Sequence, residues 1–398
     1  MKNFILISPH CPQTYYRFAE ALKQRGFRVL GIGDASYDEL CPELKANIDE
    51  WYACYNMDNF DNEVRAVAYY KEKYGEIEYL ESNNEYWLEK DARLRQIFDI
   101  KNGVRPEELL YWQHKSMMKE LYKKAGAKVA DYIIVDDKEQ LLDFINKVGY
   151  PVFAKPDIGV GAADDYKIKN SEDVDAFFAT KNPEIKYICE QFVTGIIVSF
   201  DGVCDENSNI VFCISNVFPP SVADVVKSGG DLFYYTVKTL PSDLEKLGRN
   251  VIKAFNVKRR FFHLEFFRLI KDVQGVGKTG DLVALETNMR PAGGFTPDLI
   301  NFSQSVSTYQ IYGDIMAFNE NRQDMRLEKF YAPCASRRDF GEYVHSDQDV
   351  LNKYQGKICN YGRYPDALSS AMGNRFFMAR FASIEEVEEF KDYCEARK

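Results

Sequence analysis

The chain opens with a repeating alternation of apolar runs and amphipathic stretches. Phe4-Ile-Leu-Ile-Ser8 is a short apolar run, Thr14 to Arg25 carries apolar residues at helical spacing ended by Gly26, and Phe27 to Ile32 is apolar again. That order predicts a β-α-β opening. Helical spacing from Asn59 to Tyr74 and a short strand over Ile77 to Leu80 extend the alternation to near Pro106, which predicts an α/β domain with a parallel sheet. Lys115 to Ala125 and Lys138 to Val148 then read as helices on either side of the apolar stretch Val129 to Val135, and Pro151-Val-Phe-Ala-Lys155 reads as a strand. From Tyr187 the runs become longer and β-rich, at Tyr187 to Phe192, Ile196 to Gly202, Ile210 to Asn216 and Phe233 to Leu240, which predicts antiparallel sheet. A last unit from Tyr331 carries a predicted final helix over Ser383 to Ala396.

The expected fold class is therefore α/β and α+β, divided at 1–108, 109–186, 187–330 and 331–398. A chain of 398 residues is long enough for several domains with buried interfaces, and 45% hydrophobic with 28% charged residues is an ordinary globular composition. The net charge of -10 argues against nucleic acid, whose partners carry a basic face, and turns attention to small molecules. Nine cysteines without a C-x-x-C pair read as free thiols. With no apolar stretch of membrane length and no signal-peptide pattern after Met1, a cytoplasmic location away from the membrane is expected. Only four histidines are present, none spaced as a metal-binding pair, so a metal should fall to carboxylates.

A dinucleotide reading of the first domain fails on position. Gly31-Ile-Gly33-Asp34 follows the second strand, whereas the first strand-to-helix turn, Ser8-Pro-His-Cys-Pro-Gln-Thr14, has no glycine for close approach of a pyrophosphate. The chemistry concentrates further on. Arg260 to Ile270 and Asp281 to Arg290 read as two strands joined by a Gly-rich loop. A period of two places Phe261, His263, Glu265 and Phe267 on one face of the first and Ala284, Glu286, Asn288 and Arg290 on one face of the second. A symmetric loop pairs Glu265 with Glu286 and His263 with Asn288. Directly opposed residues have Cβ atoms about 5 Å apart, so like charges there repel unless a cation lies between them, and two carboxylates with an amide oxygen suit magnesium. Arg290 and His263 are the candidate catalytic groups, with an ion pair and a satisfied structural histidine as their ordinary alternatives.

Upstream, the strand ending in Lys155 runs into a turn with Gly159 and Gly161, where backbone N–H groups can approach phosphate and the lysine adds a point charge. A strand-end lysine before a glycine turn also has a purely structural reading, and Asp157, Asp164 and Asp165 would repel phosphate unless they point away. Tyr187-Ile-Cys-Glu-Gln-Phe-Val193 ends an apolar strand in Glu190 before Thr194-Gly195, an edge that could pair with a flat base.

In this order the pieces resemble the ATP-grasp superfamily over roughly residues 1 to 320. His114-Lys-Ser-Met-Met-Lys119 with Ala125-Gly126 is similar to its D-K-x-x-M-K…A-G helix, and Gly149-Tyr-Pro-Val-Phe-Ala-Lys-Pro156 to its phosphate-binding strand. Glu286-Thr-Asn-Met-Arg-Pro-Ala-Gly-Gly294 resembles the E-x-N-x-R-x-x-G-G segment of carboxylate-amine ligases, including L-amino acid ligases, and of biotin carboxylase and carbamoyl phosphate synthase. The resemblance implies an N-terminal pre-ATP-grasp domain, a two-subdomain ATP-grasp fold and a small C-terminal lobe. It implies ATP phosphate contacts from Lys115 and Lys155, adenine contacts from Glu190 and the backbone around Gln191 and Val193, and magnesium, or manganese in its place, on Glu265, Glu286 and Asn288. Arg290 falls to the phosphoryl group or the substrate carboxylate. The family's ribose-binding glutamate has no counterpart in Gly195-Ile-Ile197.

The activity so implied is an ADP-forming ligase that activates a small-molecule carboxylate as an acyl phosphate for capture by an amine. Bicarbonate phosphorylation and nucleotide binding without turnover are the alternatives, and homodimer assembly is left open. Asp224, Lys238, Arg260, Arg268 and the Ser8 to Gln13 turn are candidates for the acceptor pocket.

Overall fold

The first sheet shows how the opening alternation folds. In the computed structural model, which describes residues 1–159, 164–219 and 230–398, the strands β1 (Asn3–Ile7), β2 (Arg28–Gly33), β3 (Glu50–Ala53) and β4 (Tyr79–Glu81) pair only in parallel, in the order β3-β2-β1-β4. β1 is buried at every position, as a central parallel strand covered on both faces must be. The helices Tyr16–Gln24 and Phe60–Tyr74 were legible from their spacing, whereas β3 and the helices Pro42–Asn47 and Leu88–Phe98 were not. β3 is half-buried throughout, so it lacks the apolar run that marks its neighbours.

Beyond this domain, β5 (Lys128–Val129) is a two-residue strand. The small antiparallel sheet follows, with β6 (Tyr132–Val135), β7 (Val152–Pro156), β8 (Tyr166–Ile168) and β9 (Tyr187–Gln191) in the order β6-β9-β7-β8. β9 belongs here, so the small sheet runs past residue 186, where the sequence division was drawn. Its helices Lys138–Val148 and Ser171–Thr180 cover one face through Leu141, Phe144, Ile145, Val174 and Phe177.

The large sheet has ten strands. β10 (Gly195–Cys204), β11 (Ile210–Ile214), β12 (Asn216–Phe218), β13 (Phe233–Thr236), β14 (Phe261–Leu269) and β15 (Leu282–Asn288) are joined by β16 (Ala332–Arg337), β17 (Ile358–Arg363) and β18 (Arg375–Ala379). The path is β17-β18-β16-β13-β12-β10-β14-β15-β5, with β11 on β10. All its pairs are antiparallel except β15 with β5. The expected C-terminal lobe thus continues this sheet through β13 and β16.

The core beneath the hairpin is apolar. Phe262, Leu264 and Phe266 of β14 pack with Met118 and Tyr122 of the helix Lys115–Lys124 and with Val251, Ile252 and Phe255 of the helix Ser242–Phe255. Phe261 begins β14 by meeting Phe18 and Tyr312, with ring centroids 5.8 and 5.5 Å apart, which ties the N-terminal domain to the start of the hairpin. Among the described residues no helix is long and apolar enough to cross a membrane, and none of the nine cysteines is in a disulfide.

Candidate functional site

β14 and β15 form the hairpin with Glu265 opposite Glu286 and His263 opposite Asn288, the register expected from a symmetric loop. Nearer the loop the register slips by one residue, so Phe266 pairs with Ala284 rather than with Leu285. The bulge turns Ala284 into the core with Leu264 and Phe266, and it does not share the face of Glu286. That corrects the simple period-two reading. Thr287, between the two polar residues, points to the core and bonds the Tyr122 hydroxyl.

A buried polar chain stands behind Glu265. His263 Nε2 lies 3.1 Å from a Glu265 oxygen and its Nδ1 lies 2.5 Å from Asp201, a β10 residue directly across the ladder. Asp201 is fixed in turn by the Ser199 hydroxyl and by the Asn216 amide, which donates at 2.8 Å. Burial alone would lower the imidazole, but the Asp201 and Glu265 carboxylates hold it up at about 9. Burial works against ionisation of Glu265, and His263, Arg290 and Lys155 outweigh it and hold the carboxyl below its usual range.

The lysines reach the same place from two other elements. Lys115 opens its helix, is 7% exposed, and sends Nζ to within 3.5 Å of Glu286 while donating to the Gly159 carbonyl at 2.8 Å. Lys155, at the end of β7, is as deeply buried and pairs with Glu190 at 2.9 Å. The Glu190 side chain also meets Lys119, so two ammonium groups bracket it. Burial opposes its ionisation, but the two lysines bring the carboxyl down to about 2. The adenine contact expected from that side chain therefore competes with two existing ion pairs. Gln191 donates its backbone N–H to Asp131 and its side-chain amide to the Gln274 carbonyl at 3.0 Å, and Val193 is buried beside Ala130 and Val283.

Asp157 is turned toward the start of a helix. It accepts from the Ser116 backbone N–H at 2.8 Å and meets His114 at 2.8 Å, so it serves the start of the Lys115–Lys124 helix. Gly159 has φ 141°, a conformation that L side chains rarely adopt. Gly161 and the acceptor candidate Asp224 lie outside the described residues. Arg290 donates to the Pro291 carbonyl at 2.8 Å and faces Glu85 at 3.9 Å. The remaining acceptor candidates are engaged elsewhere: Arg260 is bidentate to Glu81, Arg268 pairs with Asp243, and Lys238 reaches the Ala382 carbonyl. In the Ser8 to Gln13 turn, His10 Nε2 lies 3.0 Å from Asp34.

Among the described residues no three His, Cys, Asp or Glu side chains gather as a metal group. A cation at the hairpin would draw on Glu265, Glu286 and the Asn288 amide and complete its shell with phosphate and water oxygens, a donor set that fits magnesium. Three polar residues around the hairpin and the lysines went unassigned in the sequence. Lys119 stands one helical turn after Lys115, a spacing that could have marked it. Glu85 follows the carboxyl end of a parallel strand, the place where α/β sheets bind ligands. Asp201 had no local signal, because its role depends on a pairing 62 residues away.

Comparison with known proteins agrees with this fold. The L-amino acid ligase of Bacillus licheniformis superposes with a TM-score of 0.72 at 14% identity, covering 99% of this chain and 98% of that one. This chain has the ATP-grasp fold. The biotin carboxylase domain of the Hydrogenobacter thermophilus 2-oxoglutarate carboxylase, a dimer crystallised with MgADP, ADP and bicarbonate, shares the ATP-grasp architecture at a TM-score of 0.68 and 14% identity, over 100% of this chain and 90% of that one. In sequence, the L-arginine-specific L-amino acid ligase of Bacillus subtilis is 24% identical over 274 residues, 66% of this chain and 64% of that protein. The chain thus matches less than two thirds of that relative's length. No family model matches the chain.

Proposed function

We propose that the protein is an ADP-forming ligase, dependent on ATP and magnesium, that activates a small-molecule carboxylate. The substrate carboxylate attacks the γ-phosphate of ATP, ADP leaves, and the acyl phosphate is captured by an amine with loss of phosphate, a far better leaving group than hydroxide. The observation that carries this reading is the meeting of Lys115 Nζ, 3.5 Å from Glu286, with a hairpin that opposes Glu286 to Glu265. Cations for phosphate and carboxylates for a metal then stand side by side, as phosphoryl transfer by positioning and charge neutralisation requires.

In this reading Glu265, Glu286 and Asn288 hold magnesium, which supplies neutralisation of phosphate charge when bound. Lys115 and Lys155 contact phosphates. Glu190 keeps Lys155 charged and in place, which leaves the adenine edge to the chain near Val193. Arg290 neutralises the substrate carboxylate or the transferring phosphoryl group. His263, held by Asp201, fixes the orientation of Glu265 from behind. The similarity to L-amino acid ligases favours an acid and an amine as the two substrates. Bicarbonate as the phosphorylated acid is the second reading, favoured by the bicarbonate in the biotin carboxylase neighbour.

The test is ADP release from ATP and magnesium across panels of acids and amines, bicarbonate included, with products identified by mass spectrometry. Acid-dependent ADP release with an amide product is the expected result, and its absence in a folded preparation removes the ligase reading. Glu286→Gln should cut turnover by about 100-fold or more. Unchanged magnesium-dependent turnover in that variant removes the metal assignment.

A further inference from the structure

A continuous row of polar side chains crosses the large sheet. Thr236 of β13 donates its hydroxyl to the Asn216 side chain of β12 at 2.6 Å, and the Asn216 amide and the Ser199 hydroxyl both donate to one oxygen of Asp201 on β10. The other Asp201 oxygen meets His263 Nδ1 at 2.5 Å, and His263 Nε2 reaches Glu265 at 3.1 Å. The row thus spans four adjacent strands, β13, β12, β10 and β14. From Thr236 to His263 no member is more than 5% exposed, whereas the Glu265 side chain is 23% exposed, so Glu265 is the end at which the row reaches solvent. None of its buried oxygens or nitrogens lacks a partner. Apolar residues would fill these positions at lower cost, and a fully bonded polar row in their place holds its members in one arrangement.

The ladder alone does not fix Glu265. The register slips between Glu265 and Phe266, and a bulge bends its strand and re-aims the side chains beside it. The opposed carboxylate is held in another way, since Glu286 meets Lys115 Nζ at 3.5 Å and the same ammonium donates to the Gly159 carbonyl. One carboxylate of the hairpin is thus braced by a buried row and the other by a long side chain from another element. We propose that Asp201, backed by Ser199 and Asn216, is a positioning residue for the cation. Acting through His263, it presets Glu265 by one oxygen and leaves the other for the metal, so that Glu265 is the fixed ligand and Glu286 the adjustable one. This rests on the metal assignment made above. Outer partners that orient a metal ligand are worth about 10- to 100-fold in metal affinity.

The experiment titrates manganese into the protein with saturating ADP and follows the free ion by its EPR signal, beside the magnesium dependence of turnover. Asp201→Asn should weaken manganese binding by about tenfold or more and raise KM for magnesium more than it lowers kcat. That substitution also removes a negative charge, and a cycle with His263→Ala separates the two effects. With the imidazole gone, Asp201→Asn should weaken manganese no further, whereas an effect of charge alone would persist. Ser199→Ala, which changes no charge, should weaken binding by about threefold and serves as the second variant if Asp201→Asn does not fold. Wild-type affinity in these variants, or a loss of the same size with and without His263, overturns the proposal and leaves the row as core packing. The titration needs neither acid nor amine, so its result is independent of the substrate screen. A wild type that binds no manganese with ADP removes the metal assignment and this proposal together, whereas unaltered binding in the variants removes this proposal alone.

Discussion

Glu63 shows at the level of a single residue how strongly burial acts on charge in this protein. Its side chain is fully buried in the helix Phe60–Tyr74, neither oxygen accepts a hydrogen bond from any described group, and the nearest cation, Lys90, stands 3.8 Å away. Burial pushes its carboxyl up to about 7. The folded state therefore holds a proton that the unfolded chain releases near pH 4.5, and stability drains away as pH rises from there through about 7. Glu63→Gln removes that drain. It should stabilise the protein by on the order of 2 kcal/mol at pH 8 and by almost nothing at pH 4.5, measured by thermal or urea unfolding at the two pH values. The candidate site obeys the same rule with the opposite outcome, because Glu190 is also buried but lies between Lys119 and Lys155. Pattern reading could name Glu190 and Lys155, since each ends a strand, but not that they would pair. Whether a buried charge is satisfied depends on what another element brings to it, and composition along one element does not carry that.

Among the elements, the hairpin was the most legible, because two strands with a loop between them have only a few ways to pair. Its polar end was readable to the residue from loop symmetry. Its loop end was not, since the extra residue at Leu285 answers to core packing around Phe266 and Ala284. The helix Ser242–Phe255 makes the same point about packing. Gly248 costs that helix about 1 kcal/mol in propensity relative to alanine. A Cβ there would lie 2.3 Å from the Phe200 ring, which is fully buried and stacked on Phe262 of β14. Gly248→Ala should therefore lower stability by about 1 to 3 kcal/mol in denaturant unfolding, although propensity alone predicts a gain. A stabilised variant would mean that the helix can move away from the sheet without cost.

For the whole molecule, the opening alternation was enough to foretell the parallel sheet, and the later β-rich runs the antiparallel one. The division between units was less readable, because β9 joins the small sheet and β16 to β18 join the large one through non-local pairings. The N-terminal domain is clamped to the hairpin by charge as well as by Phe18 and Tyr312. Glu81, at the end of β4, is bidentate to Arg260 at 2.6 and 3.0 Å and also pairs with Arg95, all of them buried. Arg260 in turn holds the carbonyl of Met289, the residue between Asn288 and Arg290. Glu81→Gln would leave two buried guanidinium groups facing a neutral amide. It should cost about 3 to 5 kcal/mol in chemical unfolding, and conditions that keep the variant folded should still show reduced turnover. One further consequence follows from the two-residue strand β5. The chain enters the small sheet directly after Lys128 and Val129, which are laid along β15, and it leaves through Phe192 to Thr194, where the Thr194 carbonyl accepts from the Ile270 backbone at the end of β14. Both crossings are thus moored to the two strands of the carboxylate hairpin. If the small sheet swings, the two carboxylates proposed to hold the metal sit on its axle, and a substitution at Val129 or Thr194 would be felt in the setting of Glu265 and Glu286 together.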